Sequence, residues 1–243
     1  MLTIVDSVGT GVVDNVTHAR GALVNYGTVE IDGGAFRRSE EDASANTWYV
    51  IDNHGTMTIE DGAKVYHGIS EEEATQWDYS SLIRNIEASA VLTIEGGSFS
   101  TGRIAVKGDD YGQVIINGGT FNCPDDQAVQ NWSKLTINGG TFNGLVANWY
   151  YGDDYTPDTT NAVITGGTFN SKVISYEYSS VSGSYSDVLI QGYTVSGGNF
   201  STVLPESYIA DDSLFYPTAD GYAVGAYKDV IDEVTAKAFV LYG

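Results

Sequence analysis

A motif of the form apolar-x-Ile-x-Gly-Gly-x-Phe recurs along most of this chain, and no other feature constrains the fold as strongly. It reads Val29-Glu-Ile-Asp-Gly-Gly-Ala-Phe36, Leu92-Thr-Ile-Glu-Gly-Gly-Ser-Phe99 and Val114-Ile-Ile-Asn-Gly-Gly-Thr-Phe121. It returns as Leu135-Thr-Ile-Asn-Gly-Gly-Thr-Phe142, Ala162-Val-Ile-Thr-Gly-Gly-Thr-Phe169 and Tyr193-Thr-Val-Ser-Gly-Gly-Asn-Phe200. Met57-Thr-Ile-Glu-Asp-Gly-Ala-Lys64 is a degenerate copy, and Leu2-Thr-Ile4 begins an incomplete one. A repeat of this period is the signature of stacked supersecondary units.

Within each motif the positions two and four before the first glycine are apolar, while the position between them is often polar, as at Glu30, Thr58, Thr93 and Thr136. That period of two describes a short strand with one buried face. Gly-Gly then supplies a sharp corner, because glycine adopts φ > 0 without a Cβ penalty. Phenylalanine follows as the inward residue of the next strand, so Phe99, Phe121, Phe142 and Phe169 are predicted to form one internal column. A second column is predicted upstream at Asn25, Asn53, Asn85, Asn131 and Asn148, with Lys107 and Tyr176 in the matching places of the other repeats. Stacked asparagines bond to one another and to turn backbone.

These residues predict an all-β fold, a parallel β-helix (solenoid) of about eight coils. The helix is assigned to residues 1–205, and residues 206–243 to a C-terminal cap or the transition to a further domain. Parallel crossovers are right-handed as a rule. The segments Leu23-Val-Asn-Tyr-Gly-Thr-Val-Glu-Ile-Asp-Gly-Gly-Ala-Phe36 and Ile51-Asp-Asn-His-Gly-Thr-Met-Thr-Ile59 resemble the Gly-Gly-Thr-Phe repeats of surface proteins from Gram-positive gut bacteria. Those proteins resemble in turn the pectate-lyase-like (pectin-lyase-like) superfamily, which implies a right-handed β-helix over roughly residues 1–205. The superfamily hosts lyases, hydrolases, adhesins and phage tail spikes, so the resemblance implies a fold and leaves the activity open.

Eleven Lys and Arg against 32 Asp and Glu give a net charge of −21. Such a surface repels phosphate backbones and anionic membranes, so nucleic acid is not an expected partner. Membrane insertion is not expected either, because no apolar run approaches the length of a span. The lone Cys123 forms no internal disulfide, and the first residues lack the basic start and apolar stretch of a signal peptide. An extracellular or cell-surface location in a bacterium is therefore an expectation drawn from the resemblance.

The longest insertions follow Asn148 and Tyr176 and are rich in aromatic and acidic residues. Trp149, Tyr150, Tyr151, Asp153, Asp154, Tyr155, Tyr176 and Tyr178 are the candidate ligand-binding residues, with Tyr185 nearby. Aromatic rings suit the C–H face of a pyranose and carboxylates accept from its hydroxyls, so a glycan is the first candidate ligand and a host or bacterial surface protein the second. The bland alternative is that these rings cover the core beneath long loops. A shorter acidic insertion carries Asp109 and Asp110 beside Tyr111, and Ser70–Gln76 could form a short helix with Ser70 as its N-cap.

No catalytic residues are assigned. Adjacent aspartates at 109–110, 125–126 and 153–154 fall in turns, and Arg103 with Lys107 beside Asp109 is the nearest approach to a lyase constellation. His18, His54 and His67 lack metal-ligand spacing. No cofactor is expected beyond incidental Ca²⁺ at an acidic corner. The expectation is a non-catalytic module for adhesion or glycan recognition. Its rivals are a phage tail fibre or spike, a structural spacer, and a polysaccharide lyase or hydrolase.

Overall fold

A computed structural model describes residues 1–16, 21–39, 49–71, 81–109, 111–151, 161–179, 182–187 and 192–231. The chain is all-β with parallel strands, and those strands fall into three rows that recur in the same order along the sequence.

The first row is an eight-stranded parallel sheet running from Leu2–Val5 through Thr28–Asp32, Thr56–Ile59, Val91–Ile94, Gln113–Ile116, Lys134–Ile137 and Asn161–Ile164 to Tyr193–Val195. Its register aligns Ile4, Ile31, Ile59, Ile94, Ile116, Ile137, Ile164 and Val195 as one column. From Ile31 onward every member of that column is fully buried. The Ile positions of the repeated motif are therefore the inward face, as their period of two requires.

The second row begins just after the glycines. Its register stacks Val13, Phe36, Val65, Phe99, Phe121, Phe142, Phe169 and Phe200. From Phe99 to Phe200 five rings lie face to face, with centroids 4.7 to 4.9 Å apart and planes within 6°. The predicted column of four is thus a column of five, and Phe36 heads it across Val65. Strand spacing of about 4.8 Å sets the ring spacing directly.

The two glycines of the motif divide the work of the corner. At Gly139 a Cβ would collide with the backbone carbonyl oxygen of Asn117 in the preceding repeat, whereas Gly140 holds φ at +105°. From Gly96-Gly97 onward one glycine supplies room and the next the left-handed backbone, whereas Gly33 and Gly34 of the first motif both use the freedom in φ, at +111° and +86°. Gly139→Ala and Gly140→Ala are each expected to cost about 1–3 kcal/mol, the first by overpacking and the second by backbone strain. Urea denaturation of both variants checks this, and a silent Gly139→Ala would contradict the close approach.

The third row carries the asparagines. Asn25, Asn53, Asn85, Gly108, Asn131, Asn148 and Ser175 occupy one register position. Two expected members are corrected here. Lys107 aligns with Arg84 and Gln130, one residue short of the column, and Tyr176 aligns with Trp149, one residue past it. The column is interior, so a lysine ammonium there would be desolvated without a partner. All five asparagines are buried. Asn25 Nδ2 donates to Asn53 Oδ1 at 2.7 Å, Asn53 Nδ2 to Asn85 Oδ1 at 2.7 Å and Asn131 Nδ2 to Asn148 Oδ1 at 2.6 Å. The same amides satisfy turn backbone, with Asn25 Oδ1 accepting from Gly27 N and Asn131 Oδ1 from Ser133 N.

After Phe200 the direction reverses. Gly221–Ala226 pairs antiparallel with Gly198–Phe200, and Ser213–Thr218 pairs antiparallel with Gly221–Ala226. Tyr208, fully buried, donates its hydroxyl to Ser175 Oγ and accepts from Ser175 N, both at 3.1 Å. Residues 227–231 are helical. Most of the helix expected over Ser70–Gln76, and most of the C-terminal stretch, lie outside the described residues.

Arg38 and His67 are register partners in the second row and both are buried. Burial, reinforced by the Arg38 cation, pushes the His67 imidazole down to about 3. It is therefore neutral in the fold, whereas in the unfolded chain it takes up a proton below its ordinary value near 6.5. The stability this contributes is complete above that value and is lost as pH falls toward 3, with roughly 3 kcal/mol gone by pH 4. Unfolding titrations at pH 7 and pH 4 should show that loss in the native sequence and a smaller one in His67→Gln. Equal acid slopes would refute it.

Candidate functional site

The register that builds the asparagine column also builds a row of outward residues immediately after it: Tyr26, His54, Ile86, Asp109, Trp132, Trp149 and Tyr176. Backbone bonds from His54 N to Asn25 O, Ile86 N to Asn53 O, Asp109 N to Asn85 O and Trp132 N to Gly108 O hold these residues in step. Tyr26 stacks on His54 with centroids 4.5 Å apart. Further along, Trp132 stacks on Trp149 at 5.3 Å and Trp149 meets Tyr176 at 4.7 Å and 39°. Tyr178 approaches Trp132 edge-on at 6.3 Å. The aromatic edge is thus a product of strand stacking.

The strand Thr141–Tyr151 continues past the end of the asparagine row and carries Trp149, Tyr150 and Tyr151 with it. It pairs with Val173–Ser179, which turns back antiparallel onto Ser184–Asp187. The sequence places Trp149–Tyr151 in a loop, whereas the structure makes them strand. Trp149 and Tyr150 are buried, and Tyr176 and Tyr178 half-buried. Only the backbone of Tyr151 is described. Asp153, Asp154 and Tyr155 lie outside the described residues.

Stacking changes what these rings can do. Trp149 is covered on one face by Trp132 and on the other by Tyr176, and its indole N–H donates to Gln127 Oε1 at 3.0 Å. With 8% of its surface exposed, Trp149 serves as a wall rather than as an open platform for a sugar ring.

Beside this wall lies a groove of about 350 Å³, near the lower end of the roughly 300–1,000 Å³ typical of ligand sites. Arg103, Asp126, Gln127 and Gln130 line it together with Trp149 and Tyr176. Ile104 and Gln127 are register partners, so Arg103 and Asp126 sit side by side one residue upstream, and the Arg103 guanidinium donates to Asp126 Oδ2. Sequence reasoning singles out Arg103 only as half of an unconvincing lyase arrangement and misses Gln127 and Gln130 altogether. The available signal is positional: an aromatic follows the column residue in three successive repeats, at Trp132, Trp149 and Tyr176.

Asp109, in the same outward row, is paired with two cations. Asp109 accepts from Arg84 at 3.0 Å and Lys107 at 3.1 Å, and Arg84 lies over the Tyr49 ring at 5.1 Å. Cys123 is buried, and burial, together with the Asp126 charge, pushes its thiol up to about 12. A thiol held in that state is not a nucleophile. Among the described residues no group of three or more His, Cys, Asp and Glu is placed to hold a metal ion, and no helix among them is long and apolar enough to cross a membrane. No protein-family model, no curated protein and no solved structure matches this chain.

Proposed function

We propose that this chain is a right-handed parallel β-helix of about eight coils, with residues 206–243 as its C-terminal cap, that acts as a non-catalytic surface module recognising glycans. The recurring order of three strand rows supports the coil reading. Each first-row strand pairs with the first-row strand one circuit later, and parallel crossovers favour the right hand. The reversed hairpin after Phe200 supports the cap, since a stack of this kind needs its last core layer covered. Display outside a bacterial cell, in the manner of the Gly-Gly-Thr-Phe surface proteins, completes the reading.

One observation carries the recognition role: a groove in which aromatic side chains stand beside an Arg–Asp pair and two glutamines, the mixture of apolar wall and hydrogen-bonding groups that sugars require. Among the described residues Asp126 is the only carboxylate lining it, and that group is engaged by Arg103. Hydrolysis by two carboxylates across a glycosidic bond would need a second one. A glycan array with the intact chain and with Tyr176→Ala/Tyr178→Ala is the test. Binding by the intact chain that the variant loses is expected, with circular dichroism confirming that the variant folds.

The burial of Trp149 and Tyr150 favours a second reading, a spacer whose aromatic edge only braces the extended strands. On that reading no glycan binds, and the double variant loses thermal stability alone.

A further inference from the structure

The lining of the groove bears on the kind of glycan it takes, an inference that rests on the glycan reading. Its residues come from neighbouring strands in register, Ile104 with Gln127, Gln127 with Leu145, and Trp149 with Tyr176. The groove therefore crosses the strands and runs along the stacking direction. Its two sides differ. Arg103 and Asp126 stand one residue upstream of the paired Ile104 and Gln127, and Trp149 and Tyr176 stand downstream, four residues beyond Leu145 in the case of Trp149. At about 3.3 Å per residue, Leu145 and Trp149 are roughly 13 Å apart along their strand, and the Arg103–Asp126 pair lies one residue farther upstream.

We propose that this groove binds an uncharged pyranose chain lying along the stacking direction. The Tyr176 side supplies apolar contact to ring C–H groups, and the Arg103–Asp126 side supplies hydrogen bonds to hydroxyls.

Three observations converge on the neutral class. The described lining holds one cation and one anion, joined to each other, so its net charge is zero. A uronate or sulfate group would meet the Asp126 carboxylate beside Arg103 and a chain of net charge −21. Hydroxyl groups suit the amides beside the pair, since Gln127 and Gln130 each carry an NH₂ donor and a carbonyl acceptor. Gln130 is half-buried on the same face. Gln127 spends its oxygen on the Trp149 indole and retains its amide donors. The set offers donors and acceptors together, which suits a hydroxyl that is both. Strand stacking adds a periodic element: equivalent positions repeat about every 4.8 Å along the groove, so successive sugar rings would meet successive strands.

The test is isothermal titration calorimetry on the full chain with neutral oligosaccharides (gluco-, manno-, galacto- and xylo-configured) and with oligouronates of matched length. Titrations are run at low and high salt. Neutral chains should bind with affinity unchanged by salt, oligouronates should not bind, and Arg103→Ala/Gln130→Ala should weaken the neutral ligand about tenfold or more. Preferential, salt-sensitive binding of oligouronates would overturn the neutral class. Neutral binding that Arg103→Ala/Gln130→Ala leaves intact, in a variant with a native dichroism spectrum, would move the ligand out of this groove and leave glycan recognition standing. Failure of every glycan to bind the intact chain would remove both.

Discussion

Replacing Phe121 by Ala is expected to lower the unfolding free energy by about 5 kcal/mol, at the upper end of the range for core phenylalanines. Two reasons place it there. Phe121 is fully buried within a run of five stacked rings, 4.7 Å from Phe99 and 4.9 Å from Phe142. Each stacked pair adds about 0.5–1.5 kcal/mol beyond burial alone, so the substitution opens a cavity and breaks two stacks at once. Because the backbone on either side is fixed by the strand ladder, the neighbouring rings cannot slide together to fill the gap. Against a domain stability of roughly 5–15 kcal/mol, such a loss removes a large share of the total. Phe121→Leu retains most of the volume and should cost closer to 1.5 kcal/mol. Urea unfolding of the two variants beside the native sequence measures both numbers. A loss below about 2 kcal/mol for Phe121→Ala would mean that the column relaxes.

The second large effect is expected at Asn53. Its Nδ2 donates to Asn85 Oδ1 at 2.7 Å and to Gly55 O at 3.0 Å, and its Oδ1 accepts from Asn25 Nδ2 at 2.7 Å and Gly55 N at 3.3 Å. Leucine fills nearly the same space and satisfies none of these groups. Each buried polar group left without a partner costs about 1–3 kcal/mol, so Asn53→Leu should lose about 4 kcal/mol despite the gain in hydrophobicity. Asn53→Ala is a less clean probe, since water entering the vacated space would satisfy some of the same groups. The measurement is denaturant unfolding of Asn53→Leu, together with amide exchange at Gly55. An unchanged midpoint would show that the asparagine column contributes no net stability.

Much of this fold is legible in the sequence, for a local reason. The isoleucine and phenylalanine columns are written in contiguous stretches of about eight residues, in which alternation, Gly-Gly and the following ring all occur together. Register between strands then follows from aligning the motifs. The asparagine column is legible only where the residue itself announces its role. At Gly108 there is no side chain to recognise, and the neighbouring Lys107 occupies a tempting position. At Ser175 the decisive partner is Tyr208, whose hydroxyl contacts both its amide and its Oγ. Nothing local to residues 173–178 shows that a tyrosine 33 positions away will be there.

The site is harder to read, again for a physical reason. Composition marks Trp149 and Tyr176 as aromatic but gives no sign that Trp132 and Tyr176 cover both faces of Trp149. Covering of that kind belongs to neighbouring strands and not to the segment itself. Arg103, Asp126 and Gln130 come from two further repeats and converge only once the strands pair. Solubility and recognition also draw on the same residue types, so the acidic surplus by itself does not distinguish an empty face from one that binds.

The break in the asparagine column at Gly108 has a mechanical meaning. Side-chain amides tie Asn25 to Asn53 and Asn53 to Asn85, and a separate tie joins Asn131 to Asn148. Glycine has no side-chain amide to pass the chain of hydrogen bonds from Asn85 to Asn131, and the phenylalanine stack begins at Phe99. Between the first repeats the side-chain ties are thus hydrogen bonds. Between the last the side-chain ties are mainly aromatic contacts, with the Asn131–Asn148 bond as an isolated reinforcement, while backbone strand pairing joins early and late repeats alike. Hydrogen bonds between side-chain amides are directional and depend steeply on geometry, whereas ring contacts are not. Backbone pairing runs unbroken through the repeat of Gly108, so that repeat is the seam at which only the side-chain reinforcement changes kind, from hydrogen bond to ring contact.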